Sequence, residues 1–263
     1  IYAGVAINYP LYGTLALTMN YMDYGDEAVT TVSSPEGTGE FYSASEFAAS
    51  VSYGRRIVNW FSFGASAKYI SSNIWHMSAN AIAFDLGVLV TTDFFSPTGK
   101  RNQGMKIGMS ISNYGTRLRY DGMDLLVPID PNPNEYGNFD DVEGLYNTSE
   151  WELPLIFRLG FSVQPIYTNN LRLLVAADAL HPNNNNESIN IGTQLTYLQP
   201  GKLNLYLRGG YKGLFLKDSE YGLTYGGGLR IYLSDFNFFD LDYTYKTMGL
   251  LGDVHLYTFK FSF

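Results

Sequence analysis

The 263-residue sequence lacks several features, and each absence excludes a class of protein. It has no cysteine, which rules out disulfide bonds and thiol chemistry but leaves the compartment open. It has no run of about 18 apolar residues, so a membrane-spanning helix is excluded. Lysine and arginine number only 17 against 25 aspartate and glutamate, and the net charge of −8 argues against nucleic-acid binding. Because the chain begins at Ile1 without Met or a signal peptide, we expect a processed or trimmed product.

Aromatic residues are abundant instead, with 22 Tyr and 17 Phe, and the C-terminal segment shows how they are arranged. From Tyr257 to Phe263, aromatic side chains alternate strictly with polar ones, which predicts a β-strand with two different surroundings. A soluble sandwich would need a second sheet to cover the aromatic row. In a transmembrane β-barrel the row would contact lipid, and Lys260 would face a polar lumen. The terminal Phe also resembles the C-terminal signature that the assembly machinery of bacterial outer-membrane barrels reads.

The same alternation recurs along the whole chain and predicts about thirteen strands of about ten residues, the length that a tilted strand needs to cross a bilayer. Short and long connections alternate. The short ones lie at Pro10, Val58, Pro97, Thr168, Gln199 and Asp235, and the others, which include every long one, lie at Asp26, Asn73, Gly115, His181, Leu214 and Gly249. Bacterial barrels have this asymmetry, with short periplasmic turns and longer extracellular loops.

These patterns predict an all-β fold: one transmembrane, antiparallel, up-and-down β-barrel domain over residues 1–263, in the bacterial outer membrane with its loops extracellular and its turns periplasmic. Single-chain bacterial barrels normally have an even number of strands. Thirteen is odd, so at least one strand is expected before Ile1, which gives about fourteen.

Seven segments carry short motifs whose order and spacing cover nearly the whole chain. They are Phe63–Ile70, Ala83–Gly87, Ile107–Gly115, Leu153–Gly160, Ala177–Asn183, Leu207–Lys212 and Gly222–Leu229. Together they resemble the PorV/PorQ family, a branch of the FadL-like outer-membrane barrels associated with the type IX secretion system of Bacteroidota. The resemblance implies about fourteen strands preceded by a segment with a short helical hatch, and we expect that N-terminal segment to be missing from this sequence.

The resemblance implies a PorV-like cargo-binding or shuttle barrel in type IX protein secretion. Its partners would be the lipid bilayer, the translocon barrel and the C-terminal signal domains of cargo proteins, which it would deliver to a surface-attachment complex. Two alternatives stay open: a FadL-like channel for hydrophobic solutes, and a structural barrel in a larger outer-membrane complex. A lipid or detergent molecule in the lumen, or a lateral gap between strands, would favour the channel.

Charged residues on the polar faces of the predicted strands form the largest polar group in the sequence. They are Lys68, Asp85, Lys106, Arg158, Arg172, Asp178, Arg208, Arg230, Asp240, Asp242 and Lys260. A selective pore is one interpretation. The favoured one is a packed interior in which opposite charges pair across strands, because a buried charge left alone is very costly.

The longest connection runs from Gly115 to Ser149, and the next strand is expected to begin at Trp151. It is too apolar for a segment that only faces water. Its apolar residues are Met123, Leu125, Leu126, Val127, Ile129, Tyr136 and Phe139. Either the loop folds back and plugs the barrel mouth, or it presents an apolar patch to a protein partner, the translocon or the cargo.

Nothing in the sequence marks a catalytic, cofactor or metal site. His76, His181 and His255 are the only histidines, and none has the context of a triad or a metal site. The segment Asp130–Asn134 resembles the start of a calcium loop, but Glu135 stands where that loop needs Gly. We therefore expect a protein that is not an enzyme and has no cofactor.

Overall fold

The computed structural model describes residues 1–131, 134, 142–217, 219–234 and 237–262. Within them the chain forms sixteen β-strands. They are β1 (Tyr2–Tyr9), β2 (Gly13–Ala28), β3 (Phe41–Val58), β4 (Phe61–Ile74), β5 (Met77–Thr91), β6 (Lys106–Gly115), β7 (Asp121–Gly122), β8 (Leu126–Ile129), β9 (Val142–Leu145), β10 (Ile156–Tyr167), β11 (Leu171–Pro182), β12 (Ser188–Gln199), β13 (Leu203–Leu214), β14 (Leu223–Tyr232), β15 (Phe238–Thr247) and β16 (Asp253–Ser262).

Fourteen of these strands belong to one sheet, and its order follows the chain: β1-β2-β3-β4-β5-β6-β10-β11-β12-β13-β14-β15-β16, with the two-residue β7 beside β5. Strands β8 and β9 form a separate hairpin. The only helical segments in the described residues are three 3₁₀ turns of three residues each, and no helix there is long and apolar enough to cross a membrane. The predicted all-β, up-and-down class and the number of long strands are confirmed.

The first turn shows why short connections need particular residues. Tyr12 donates its backbone N–H to Tyr9 O at 3.0 Å, which closes the turn between β1 and β2. Gly13 follows with φ +110°, and a Cβ there would lie 2.5 Å from Gly54 O. Only glycine fits this backbone conformation and this close approach.

The described residues divide into two compact units. Unit 1 comprises Ile1–Arg55, Gly64–Leu86 and Ser112–Pro154, and it contains the hairpin of β8 and β9. Unit 2 comprises Arg56–Phe63, Gly87–Ile111 and Leu155–Phe263, and strands β10 to β16 pair in it consecutively as antiparallel neighbours.

Large apolar side chains lie exposed in rows along one face of the strands. In unit 2 the row on β13 includes Leu205 and Leu207, which are 47% and 66% exposed, and in unit 1 the row on β5 includes Ile82 and Phe84, each 52% exposed. Such extensive apolar exposure is unfavourable in water and is typical of a surface that contacts lipid. We call these residues the apolar row of each strand, and the opposite side its second face.

Candidate functional sites: an apolar cover and an ion-paired face

The second face of β5 in unit 1 is lined by methyl groups. Ala79, Ala81 and Ala83 are between 0% and 3% exposed, whereas Ile82 and Phe84 alternate with them on the exposed apolar row. Alanine is too small to bury itself, so another part of the chain must lie on this face. Leu118 and Leu153 do so, at 7% and 6% exposed, and Ile70 and Tyr120 pack at the edge of the same cluster.

The covering residues come from the two ends of the long connection. Leu118 and Trp151 exchange backbone hydrogen bonds of 2.9 and 3.0 Å, and the rings of Tyr120 and Trp151 are 5.1 Å apart. The Tyr120 hydroxyl lies 2.8 Å from Ser72 Oγ, so one polar contact ties this segment to β4. We name residues Leu118–Tyr120 and Trp151–Leu153 the apolar cover.

A polar network holds both ends of the long connection. Lys68 Nζ lies 2.7 Å from Asp85 Oδ1 and also donates to the Asn113 side-chain oxygen. Asn113, with φ +65°, donates its backbone N–H to Asp85 at 2.8 Å and its amide to Pro154 O at 2.9 Å. Lys68 and Asp85 are thus paired as ions, and through Asn113 they fix the chain on either side of the apolar cover.

The expected strand start at Trp151 is wrong, because β10 begins at Ile156. Trp151 and Leu153 continue the alternation of the following strand, yet Leu153 is buried against Ala79 to Ala83 rather than placed in a strand. Sequence reasoning therefore missed the cover residues Leu118, Tyr120, Trp151 and Leu153. It also missed Asn113, whose only signal was a polar Asn-Tyr-Gly sequence at the end of an alternating strand.

The loop residues singled out from the sequence lie beyond the cover. Met123, Leu126 and Ile129 are 69%, 47% and 44% exposed, while Leu125 and Val127 are half-buried. Tyr136 and Phe139 lie outside the described residues. Strand β8 pairs with β9, whose Val142 and Leu145 add further exposed apolar surface. The long connection thus both folds back through its ends and presents an apolar hairpin in its middle.

His76 joins this hairpin region to the turn between β4 and β5. Its Nδ1 lies 2.8 Å from Asp124 Oδ1, and its backbone N–H donates to Asp124 Oδ2 at 3.2 Å. The Trp75 ring stacks on the His76 ring at 4.7 Å. The contacts of His76 with Asp124 position the 3₁₀ turn Met123–Leu125 against the strand ends.

The second face of β12 to β15 in unit 2 is built from charges instead of methyl groups. Arg230 forms a bidentate pair with Asp240, at 2.7 and 2.9 Å, and Asp240 is only 8% exposed. Arg208 donates to Gln194 at 2.8 Å and pairs with Asp242. Bidentate and shared hydrogen bonds of this kind satisfy charges that are withdrawn from water.

The other charges in the predicted group have different surroundings. The Arg172 guanidinium lies 4.3 Å above the Tyr167 ring, and its buried Nε has no hydrogen-bond partner in the described residues. Lys260 Nζ is 5.5 Å from the Phe238 ring, and Asp178 lies against Gly160, where a Cβ would be 2.3 Å from its carboxylate. Lys106 and Arg158 make no ion pair within the described part of the chain.

The remaining histidines have local partners. His181 Nδ1 lies 3.0 Å from Glu187 Oε1 in an exposed loop, and the backbone N–H of Glu187 together with His181 lowers the pKa of that carboxyl. His255 Nδ1 lies 2.9 Å from the Tyr243 hydroxyl. Over the described ranges, no group of three or more His, Asp or Glu side chains could hold a metal ion.

No protein-family model and no curated protein matches this sequence. Several solved structures, however, match the fold of this chain. The toluene transporter TodX of Pseudomonas putida aligns with 93% of this chain and 76% of its own, at a TM-score of 0.54 and 9% identity. The chain has the fold of the FadL-like outer-membrane barrels.

Two further structures support this fold. The toluene transporter TbuX of Ralstonia pickettii covers 99% of this chain and 79% of its own, with a TM-score of 0.53 and 10% identity. A FadL homologue of Pseudomonas aeruginosa covers 99% and 75%, with a TM-score of 0.52 and 10% identity. The FadL-like part of the sequence resemblance is therefore confirmed at the level of the fold.

Proposed function

We propose that this protein is a conduit for small hydrophobic molecules across the outer membrane. The apolar cover on the second face of β5 carries the proposal. A pore for polar solutes needs a wet lining, whereas Ala79, Ala81 and Ala83 offer a dry one under Leu118 and Leu153. The likeness to two toluene transporters is a likeness of fold. The apolar cluster is the feature of this chain that suits a hydrophobic solute.

The apolar cover would act as a removable lid. A hydrophobic solute gains roughly 25 cal/mol for each Å² of apolar surface that it buries, so it can take the place of the Leu118 and Leu153 side chains on the methyl-lined face. A sugar or an ion would lose hydrogen bonds to water there and gain none. The network of Lys68, Asp85 and Asn113 would hold the ends of the connection while its covering residues move.

A pair of neighbouring substitutions on β5 tests this function. Ala81→Phe fills the methyl-lined face, and Ile82→Phe places the same ring on the exposed apolar row of the same strand. We expect cells that carry Ala81→Phe to take up labelled toluene no faster than cells without the protein, and cells that carry Ile82→Phe to match the wild type. Both variants are first checked for heat-modifiable migration, which shows that the barrel has assembled.

Equal toluene uptake by the two assembled variants would contradict the proposal. If Ala81→Phe does not assemble, Ala81→Val introduces less volume at the same place and should give a partial loss of uptake. Uptake of a labelled disaccharide serves as the control for leakage and should be the same in all variants.

A second candidate is a PorV-like cargo-binding barrel of the type IX secretion system, and the exposed hairpin of β8 and β9 favours it together with the 3₁₀ turn Met123–Leu125 that precedes it. Met123, Leu126 and Leu145 are 69%, 47% and 54% exposed, which suits contact with the translocon barrel or with cargo signal domains. Replacing these three residues with Ser should abolish co-purification of signal-domain proteins and leave toluene uptake unchanged. Unchanged capture by the assembled triple variant would rule out this role for the hairpin.

A further inference from the structure

A groove crosses the apolar rows of β13 to β16 in unit 2. Its volume is about 440 Å³, and the exposed part of its lining is mostly apolar. The wall is formed by six large side chains, Leu205, Leu229, Leu241, Tyr243, Tyr257 and Phe259. Gly227 forms part of the floor, because the strand has no side chain at that point.

The missing side chain at Gly227 creates the groove. In the paired strands Gly227 lies beside Tyr243, and Tyr243 lies beside Tyr257, so large rings flank the glycine on that side. A Cβ on Gly227 would contact only Tyr206 O, at 3.7 Å, and its φ is an ordinary one. Neither strain nor crowding therefore requires glycine at this position, and the space above it is available to another molecule.

Along the strands, the side chains change character between the groove and the residues that lie just beyond it. The row of Leu229, Leu241 and Phe259 is wholly apolar. Two residues along the strands in the other direction from Gly227, Tyr225 pairs with Tyr245 and Tyr245 with His255. There the Tyr225 and Tyr245 rings stack at 4.7 Å, and His255 is held by the Tyr243 hydroxyl at 2.9 Å. Tyrosine rings are typical of the boundary between hydrocarbon and polar headgroups, and the His255 imidazole adds a polar group beside them.

We infer that this groove is a binding site for one hydrocarbon chain of a membrane lipid, whose polar head lies beside Tyr245 and His255. The groove belongs to the lipid-facing row of an outer-membrane barrel fold, so a lipid chain reaches it without leaving the membrane. Asp242 also borders the groove, but Arg208 already pairs with it, so the free surface offered to a ligand is hydrocarbon and aromatic. The inference does not depend on the proposed transport function.

The test uses the full chain in nanodiscs of phosphatidylethanolamine that contain a small fraction of the same lipid with a diazirine in its acyl chain. After illumination, peptide mass spectrometry locates the adducts. We expect adducts to concentrate on Leu229, Leu241 and Phe259, in excess over the apolar row of β11 and β12 at Val175, Ile191 and Leu195. Even labelling of all rows would show that lipid contacts this surface only as general solvent, and would overturn the inference.

Two glycine substitutions give a matched comparison. Gly227→Leu places a side chain in the groove, and adducts there should fall about tenfold, which corresponds to losing contact with about two methylene groups. Gly209→Leu adds the same side chain on the apolar row outside the groove, where a Cβ has no neighbour within 4 Å, and should leave labelling unchanged. Equal labelling in the two assembled variants would contradict the site. So would loss of the adducts when toluene is added, because the groove would then belong to the solute.

Discussion

The second face of β5 and the second faces of β12 to β15 are stabilised by different kinds of contact. Both faces lie opposite an exposed apolar row. On β5 the face carries alanines, and the ends of the long connection cover them with Leu118 and Leu153. On β12 to β15 the face carries arginines and aspartates that pair with each other: Arg230 with Asp240 on the adjacent strand, and Arg208 on β13 with Asp242 on β15.

The difference teaches which part of the molecule can change. An ion pair withdrawn from water is costly to break, because each partner is then left without its counter-charge. An apolar cover can be replaced by any hydrophobic molecule of suitable size at little cost. The charged face is therefore expected to be permanent, and the apolar cover exchangeable. Each of the following predictions addresses one side of this contrast.

The largest effect is expected where the charged face is broken. Asp240→Ala removes the nearly buried bidentate partner of Arg230, whose own side chain is only partly exposed, and the loss of unfolding free energy should be about 3–5 kcal/mol. Arg117→Ala is the control, because its pair with Glu152 is about 60% exposed on both sides and such a pair contributes about 0–1 kcal/mol. Urea unfolding in detergent measures both. If the two variants lose equal stability, the charged face is not the permanent one.

An intermediate effect is expected in the apolar cover. Leu118→Ala removes a buried side chain from the methyl-lined face and should weaken the local packing by about 2–3 kcal/mol. Because the strands do not depend on this contact, amide hydrogen exchange should rise in residues 116–120 and 148–153 and stay unchanged in β13 to β15.

Leu126→Ala is the control for this prediction, since Leu126 is 47% exposed on the hairpin. It should change exchange in the cover very little. A general rise over all strands in Leu118→Ala would mean that the cover is an integral part of the sheet, and the contrast between the two faces would fail.

The smallest effect compares two adjacent glycines of β14. A Cβ at Gly228 would lie 2.1 Å from the Asp242 carboxylate, so Gly228→Ala should displace the pair of Asp242 with Arg208 and cost about 1–3 kcal/mol. Gly227→Ala meets only Tyr206 O at 3.7 Å and should be neutral or more stable by up to about 1 kcal/mol. Urea midpoints compare the two, and equal midpoints would show that the ion pair does not depend on the empty space at Gly228.

The strands and their rows could be predicted from the sequence, because a period of two and the parity of the connections are local signals. The pairing of charged side chains across strands could not be predicted from the sequence. Alternation places Arg208, Asp240 and Asp242 on one face, but Arg208 reaches Asp242 over Gly228, and only the register of β13, β14 and β15 reveals it.

The apolar cover shows the same limit. The sequence left two interpretations of the long connection open, a plug and a partner surface. In the structure its ends cover the alanines of β5 and its middle forms an exposed hairpin, an arrangement that the sequence did not predict. Trp151 and Leu153 imitate a strand because a buried loop residue and a strand residue can both be apolar at every second position. Ala79, Ala81 and Ala83 gave no signal by themselves, since small residues become informative only when something is found on top of them.

The most direct test of the central claim is hydrogen exchange of the assembled protein with and without toluene. If hydrophobic solutes displace the apolar cover, toluene should increase exchange at Leu118–Tyr120 and Trp151–Leu153 and leave β13 to β15 unchanged, and Ala81→Phe should suppress the increase. If toluene leaves exchange in the cover unchanged, or raises it equally in Ala81→Phe, the cover is not the site where a solute enters.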